Sequence, residues 1–380
     1  MGGAMAYYRH FFEHDDFEVF VATDDKRVSH YNLPCEVLIF DQPRWLERIS
    51  KTRFFRWAHS LKHLFAGYFI PGKVVQAARD FQPDLIFTIA GSWDSTAQMS
   101  QLLSRKLNVP LVGSFNDWFD FGAIIHPLMK PLIEERFRSF FRECDLAFCT
   151  SEGMKEALGP HHYAHVLYPV GASPKAGNES PSTTTNIRGP FVIAFAGNLS
   201  DWYGVMLEQL VETAFKMKAP LEFRIFGANQ SWSFGFDRLA RERKIYRGFL
   251  PFDQLGKEVA QVDALILPMG FGQESALTER TSFNTKFLYY LAFRKPIMVW
   301  GPEYCSAVRV AREFDSAEIC NDADPRAVVS ILELLARSPE RQGQLVAHAA
   351  AMYEDRFHPD KIHAGFVRQM RQVVENHDNA

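Results

Sequence analysis

Cysteine is scarce in this 380-residue chain: Cys35, Cys144, Cys149, Cys305 and Cys320 are the full set, and no two form a Cys-x-x-Cys pair. An odd count without paired spacing speaks against a disulfide frame and a zinc site, and for reduced, mostly buried thiols in a cytoplasmic compartment. Long apolar runs are also lacking. No stretch reaches the roughly 18 apolar residues that a membrane-spanning helix needs, and no charged-then-apolar leader opens the chain, so neither spanning nor export is indicated. Nor does one sign of charge dominate. Forty-two Lys and Arg stand against 45 Asp and Glu, a net charge of −3, so the chain as a whole has no pull towards nucleic acid and any basic function must be local. His161, His162 and His165 have no spaced cysteine or acidic companions, which argues against a metal site there.

What is present fits a two-domain α/β protein. The length exceeds one comfortable core, and 47% apolar with 23% charged residues is an ordinary globular balance. Short β-branched and aromatic runs recur, each followed by helical spacing. In the first half they are 19–23, 37–40, 85–89, 111–115 and 146–150; in the second half 191–196, 221–226, 244–249, 264–268, 296–300 and 317–320. Helices fit between them, among them 206–218 and 285–293. Such alternation implies βαβ units on parallel sheets, hence two doubly wound Rossmann-like domains. The polar, Pro- and Ser-rich stretch 173–190 reads as a linker. We therefore expect an N-terminal domain over 1–172, a C-terminal domain over 191–355, and a polar helix over 356–380 that can cross back onto the first domain.

Ligands of open parallel sheets bind beyond the carboxyl ends of the strands. The first strand of the second half runs into Ala196-Gly197-Asn198 and the second into Phe226-Gly227, where glycine permits close approach to the backbone. In Ser282-Phe283-Asn284-Thr285-Lys286, Ser282 or Asn284 can cap a helix whose free amides would cradle a diphosphate, and Lys286 adds a point charge. Read without ligands, the glycines merely end strands and Lys286 is a solvated helix residue.

Strand–Gly-Asn-Leu, Phe-Gly, Arg247-Gly248-Phe249-Leu250-Pro251, Val262-Asp263-Ala264-Leu265-Ile266-Leu267-Pro268 and Ser-Phe-x-Thr-Lys-x-x-x-Tyr-Leu-Ala-x-x-Lys-Pro succeed one another here. In that order they resemble the C-terminal half of bacterial GT-B glycosyltransferases of the retaining, group 1 type. The likeness is good over 191–320 and looser over the first half, where Asp117 and the run from Cys144 to Met154 are similar to the acceptor-side loop and the "aspartate, strand, Ser-Glu" segment. The resemblance implies a GT-B fold and transfer of a sugar from a nucleotide-sugar donor to a cell-surface glycan or lipid-linked acceptor. It also implies no resident metal and no cofactor, the nucleotide-sugar being substrate. Carried over by residue, Gly2, Gly3, Gly197 and Asn198 lie by the donor phosphates, with Gly227 at the next strand end. Arg247, Gly248 and Phe249 border the base, while Ser282, Phe283, Asn284, Thr285, Lys286 and Tyr289 flank diphosphate and ribose.

The chain departs from the family pattern in three places. Gly2-Gly3 comes directly after Met1 where the family places a strand first, so the innermost strand is expected to be missing. Thr281 and Tyr289 occupy the positions of two glutamates, and Tyr289 can hydrogen-bond a ribose but supplies no carboxylate. Tyr203 and Asn198 stand where a Lys and an Arg usually meet the diphosphate. Asp117 is the candidate catalytic group near the acceptor hydroxyl; as a purely structural residue it would cap a turn.

Between 44 and 73, Arg44, Arg48, Lys51, Arg53, Arg56, Lys62 and Lys73 face one acid, Glu47, with aromatic residues interleaved. This reads either as an amphipathic helix pair resting on an anionic membrane or as a core-facing helix with a solvated basic side. Nucleic-acid binding is disfavoured by the shortness of the patch. Two other classes compete with the enzyme: a non-catalytic GT-B scaffold that binds a nucleotide or partner, and an epimerase of the same architecture, whose extra carboxylates have no candidates here. A tandem-Rossmann dehydrogenase lacks its Gly-x-Gly-x-x-Gly.

Overall fold

Strands that are apolar on both faces can lie only in sheets covered on both sides, and that is how this chain uses its β-runs. A computed structural model describes residues 4–41, 53–90, 95–119, 125–171 and 189–379. Gly2, Gly3, residues 44–52 of the basic stretch and most of the expected linker lie outside them. The chain divides into two compact units, one of Met1–Pro169 with Asp360–Ala380 and one of Val170–Pro359.

In the first unit, α1 (Ala4–Phe12) precedes β1 (Phe20–Thr23) and β2 (Glu36–Ile39), which form a parallel pair. Next come α2 (Phe55–Phe65), α3 (Gly72–Phe81), β3 (Ile86–Ile89), α4 (Ser95–Leu107), β4 (Leu111–Phe115), α5 (Lys130–Glu143), β5 (Leu146–Cys149), α6 (Glu152–Leu158) and β6 (Ala164–Val166). The second sheet of this unit is parallel, in the order β3-β4-β5-β6. Among the described residues no strand joins β1–β2 to β3–β6. Burial on both faces of β4 explains its wholly apolar-or-small sequence, and Phe115 meets Phe137, Phe140 and Phe141 of α5. Ser151, two residues past β5, caps α6, accepting from the Met154 N–H at 3.0 Å. The last helix, α15 (Pro359–Asp378), belongs to this unit. Its Phe366 is fully buried against Phe11, Phe17, Phe87 and Phe148.

The second unit runs β7 (Phe191–Asn198), α7 (Trp202–Met217), β8 (Leu221–Ala228), α8 (Phe234–Glu242), β9 (Tyr246–Gly248), α9 (Phe252–Val259) and β10 (Ala264–Pro268). It continues through α10 (Gln273–Thr281), α11 (Thr285–Leu291), β11 (Ile297–Trp300), α12 (Ser306–Phe314), β12 (Glu318–Cys320), α13 (Pro325–Ala336) and α14 (Pro339–Met352). Its parallel sheet has the order β12-β11-β10-β7-β8-β9, the doubly wound arrangement in which the chain reverses direction between β7 and β10.

Two differences from the sequence reading bear on the carboxyl end of this sheet. Strands β7 and β8 each run two residues beyond the expected 196 and 226. Gly197 and Asn198 therefore pair with Gly227 and Ala228 inside the ladder instead of lying in turns. The reason is steric: an added Cβ at Gly227 would run into the Gly197 carbonyl oxygen, so only glycine keeps these strands paired so far. Helix α7 begins at Trp202, four residues before the expected start.

Candidate functional site

At the reversal point, β7 ends beside the loop that leaves β10, and α11 brings one cation there. Asn284 is the N-cap of α11, its Oδ1 accepting from the Lys286 N–H at 2.9 Å. That geometry turns the Lys286 side chain towards β7. A Cβ on Gly197 would collide with the Lys286 Cε, so the glycine is what lets the lysine lie along the strand end. The Lys286 ammonium stands 3.8 Å from the centre of the Tyr203 ring, within cation–π range. Tyr203 is buried, and its hydroxyl accepts from Asn284 Nδ2 at 2.7 Å. Asn284 Nδ2 also contacts Met269 Sδ at 3.3 Å, tying α11 to the end of β10.

Beneath the lysine lies a buried carboxylate that the sequence did not single out. Glu279 on α10 is 2% exposed; it accepts from the Gly270 N–H at 2.7 Å, and the Cys305 thiol donates to it at 3.7 Å. Burial pushes its carboxyl up to about 7, partly offset by the Gly270 N–H, the Cys305 thiol and the Lys286 charge. Burial likewise draws Lys286 down to about 8, while the Glu279 charge acts the other way. Burial, then Glu279, raises the Cys305 thiol, which stays a protonated donor. The site thus holds a half-buried ammonium with an internal counter-charge on one side and an aromatic face under it. Glu279 sits amid polar helix residues, so nothing in its sequence neighbourhood marks it. The Gly270-Phe271-Gly272 loop after β10 does resemble the glycine-marked ends of β7 and β8 and was the available clue.

The remaining expected residues are distributed unevenly. Asn198 joins the strand end, donating to Ser200 Oγ at 2.6 Å and accepting from Asn229 Nδ2 at 3.1 Å. Gly227 lies next to Gly197. Ser282 is the C-cap of α10, with its N–H bonded to Thr278, and Thr285 opens α11. Phe283 turns inward, 5% exposed against Phe287 and Phe357, so only its backbone remains for a ligand. Tyr289 packs on Phe252 rather than beside Lys286. Arg247 and Gly248 lie on edge strand β9, one strand beyond β8, and Phe249 comes next, 71% exposed. Thr281 is fully buried and donates to the Leu277 carbonyl at 2.8 Å. Since α11 is only two turns long and Asn284 already takes one of its first amides, the anion cradle expected on this helix reduces largely to the Lys286 ammonium.

In the first unit, Asp117 lies just past the carboxyl end of β4 and is half-buried. Beside it the Tyr7 hydroxyl hydrogen-bonds Ser114 and donates to Asn116 Oδ1 at 2.8 Å. Burial pushes that phenol up to about 12, with the Asp117 charge adding to the rise. Among the described residues no group of three or more His, Cys, Asp or Glu is placed to hold a metal ion, and no described helix is long and apolar enough to cross a membrane.

Comparison with known proteins agrees with this architecture. Residues 9–169 match the family Glycosyltransferase Family 4. Similar solved structures include Anabaena HepE in complex with UDP, at 14% identity and TM-score 0.63, covering 98% of this chain and 96% of that one. HepE is also known with UDP-glucose. A glycosyltransferase from Rickettsia africae gives 12% identity and TM-score 0.59 over 94% and 90% of the two chains. Sucrose-phosphate synthase from Thermosynechococcus elongatus gives 11% and 0.54 over 81% of each. No curated protein matches the sequence. The fold is the two-domain Rossmann-like architecture of GT-B glycosyltransferases, and the stretch that matches the family model lies within the first unit.

Proposed function

We propose that this chain transfers a sugar from a nucleotide-sugar donor, seated on the second unit, to a cell-surface glycan or lipid-linked acceptor. The observation that carries the reading is the Lys286 ammonium beside Gly197, at the strand ends where the sheet reverses. In the reaction the anomeric C–O bond to the diphosphate breaks, its electron pair leaving on the nucleoside diphosphate. A bond forms from the anomeric carbon to the acceptor oxygen, whose proton departs. A fixed cation placed where that negative charge develops lowers the barrier. Tyr203, standing where related enzymes carry a lysine, serves here as the platform for a cation delivered from α11. Asp117 is the proposed acceptor-side group, because it too lies past the carboxyl end of an inner strand. The likeness to group 1 enzymes supports retention of configuration, a diphosphate held without a resident metal, and work in polysaccharide assembly at the cytoplasmic side.

The second reading, a scaffold that binds nucleotide without turnover, draws on Thr281 and Tyr289. Both stand at expected glutamate positions, one bonded to its own helix and the other packed on Phe252. Thermal-shift measurements with a panel of nucleoside diphosphates decide first, since a ligand at a hundred times its Kd stabilises by about 2.7 kcal/mol. We expect one of them to raise the melting temperature of the second unit and Lys286→Ala to weaken that ligand with the fold intact. Stabilisation by none of them defeats both readings. Binding with no transfer across a wide acceptor set, in buffer with or without EDTA, selects the scaffold.

A further inference from the structure

Two neighbouring helices of the first unit turn large apolar side chains outward instead of inward. On α2 the buried side is Ala58, Ser60 and Leu64, while Trp57, Leu61 and Phe65 are exposed, and Tyr68 continues the same stripe. On the chain entering and forming α5, Leu128 is 76% exposed and Leu132 also faces solvent. The two rows are clamped together at both ends. Trp57 stacks on His126 with ring centres 4.0 Å apart, the His126 N–H donates to Ser60 Oγ at 2.8 Å, and Arg136 donates to the Tyr68 hydroxyl at 3.1 Å. A double row of this size, exposed among the described residues, is unusual for the surface of a soluble domain.

The charges around it select one kind of cover. From Arg53 to Phe69 there is no acidic residue, while Arg53, Arg56 and Lys62 are spread along the segment. On α5, Glu134 and Glu135 are paired with Arg138 and Arg142. Trp and Tyr at the rim, aliphatic and Phe side chains between, and basic side chains around them are the composition of a surface that settles into the headgroup region of an anionic bilayer. We propose that the α2–α5 face is a membrane-docking surface that lies on anionic lipid without crossing it. Chemically, such a surface suits an enzyme whose acceptor is itself embedded in that lipid, though docking does not depend on the donor reading.

The test uses the full chain without nucleotide, in flotation with vesicles of phosphatidylcholine alone and vesicles in which a third is phosphatidylglycerol. We expect binding to the anionic vesicles only. Leu61→Ser with Phe65→Ser should lower the partition coefficient roughly ten-fold or more, as should Leu128→Ser with Leu132→Ser. Arg53→Gln, Arg56→Gln and Lys62→Gln together should remove the preference for anionic lipid. Unchanged melting temperature and unchanged nucleoside diphosphate shifts certify that these surface variants fold. Absence of binding by the parent, or equal binding by parent and apolar variants, overturns the proposal. So does sedimentation showing that the face instead joins two copies, with the same substitutions yielding monomers and no effect on vesicles.

Discussion

At Gly227 a methyl group would meet the carbonyl oxygen of Gly197, backbone against backbone, whereas at Gly197 it would meet the movable methylenes of Lys286. The two glycines look alike in the sequence and should behave differently. Gly227→Ala is expected to destabilise the second unit by about 1–3 kcal/mol through overpacking, read in denaturant melts. Gly197→Ala should cost less stability than Gly227→Ala, because its clash is with a side chain that can move, but it should push Lys286 aside and so weaken nucleoside diphosphate binding about as much as Lys286→Ala does. The lysine also sets a pH dependence. Burial draws it to about 8 and raises Glu279 to about 7. On rising pH the carboxylate appears first and the ammonium is then lost, and both changes disfavour an anion. Calorimetric titrations should therefore show affinity falling steadily from below pH 7 to above pH 8, with Lys286→Arg removing the upper part of the fall. At this scale the sequence located Gly197 and Asn198 near a strand end and Lys286 near a helix start, because strand ends and caps have local signatures. It was silent on Glu279, whose partners Gly270 and Cys305 stand nine and 26 residues from it along the chain.

Elements were easier to read than their ends. The β-runs become strands because parallel sheets need residues apolar on both faces, and the alternation with helices left little freedom. The ends are set by contacts between elements. Asp145 accepts from the Leu111 N–H at 2.7 Å and Asp263 from the Val192 N–H at 2.8 Å. In each unit, then, an aspartate just ahead of one inner strand holds the start of its neighbour. The first and last described helices meet through histidines. His10 on α1 is 1% exposed, stacks on Phe366 and lies 3.2 Å from His363 Nδ1, while His363 is also stacked on His14 and paired with Asp16. Burial, then the neighbouring His363 and His14, lowers His10 to about 3. Its folded value lies below the unfolded one, so the unfolded chain takes up the proton first. Stability is fully present above about pH 6.5 and is lost as pH falls towards 3, by about 1.4 kcal/mol per pH unit for one proton. Melting curves between those limits should show the first unit weakening on acidification, and His10→Phe should flatten the slope.

Across the whole molecule, the assignment of α15 to the first unit has the widest effects. Phe366→Ala should cost about 3–5 kcal/mol, expressed in that unit's transition alone. A chain ending at Pro359 should keep the second unit's calorimetric transition and its response to nucleoside diphosphates while the first unit's transition broadens or disappears. An intact two-transition profile in that shortened chain would contradict the packing of Phe366. The two-domain α/β plan was visible from 380 residues of alternating pattern. Which unit receives the last helix was not, since its apolar stripe suits either sheet and only the aromatic side chains of α1, β3 and β5 settle it.

That arrangement also sets an order of events on the ribosome. Val170–Pro359 emerges as one unbroken stretch and has every strand of its sheet before synthesis ends. The half translated first completes its packing around Phe87 and Phe148 only once Phe366 has left the exit tunnel. The customary sequence of co-translational folding, amino-terminal half completed before carboxyl-terminal half, is thereby expected to invert.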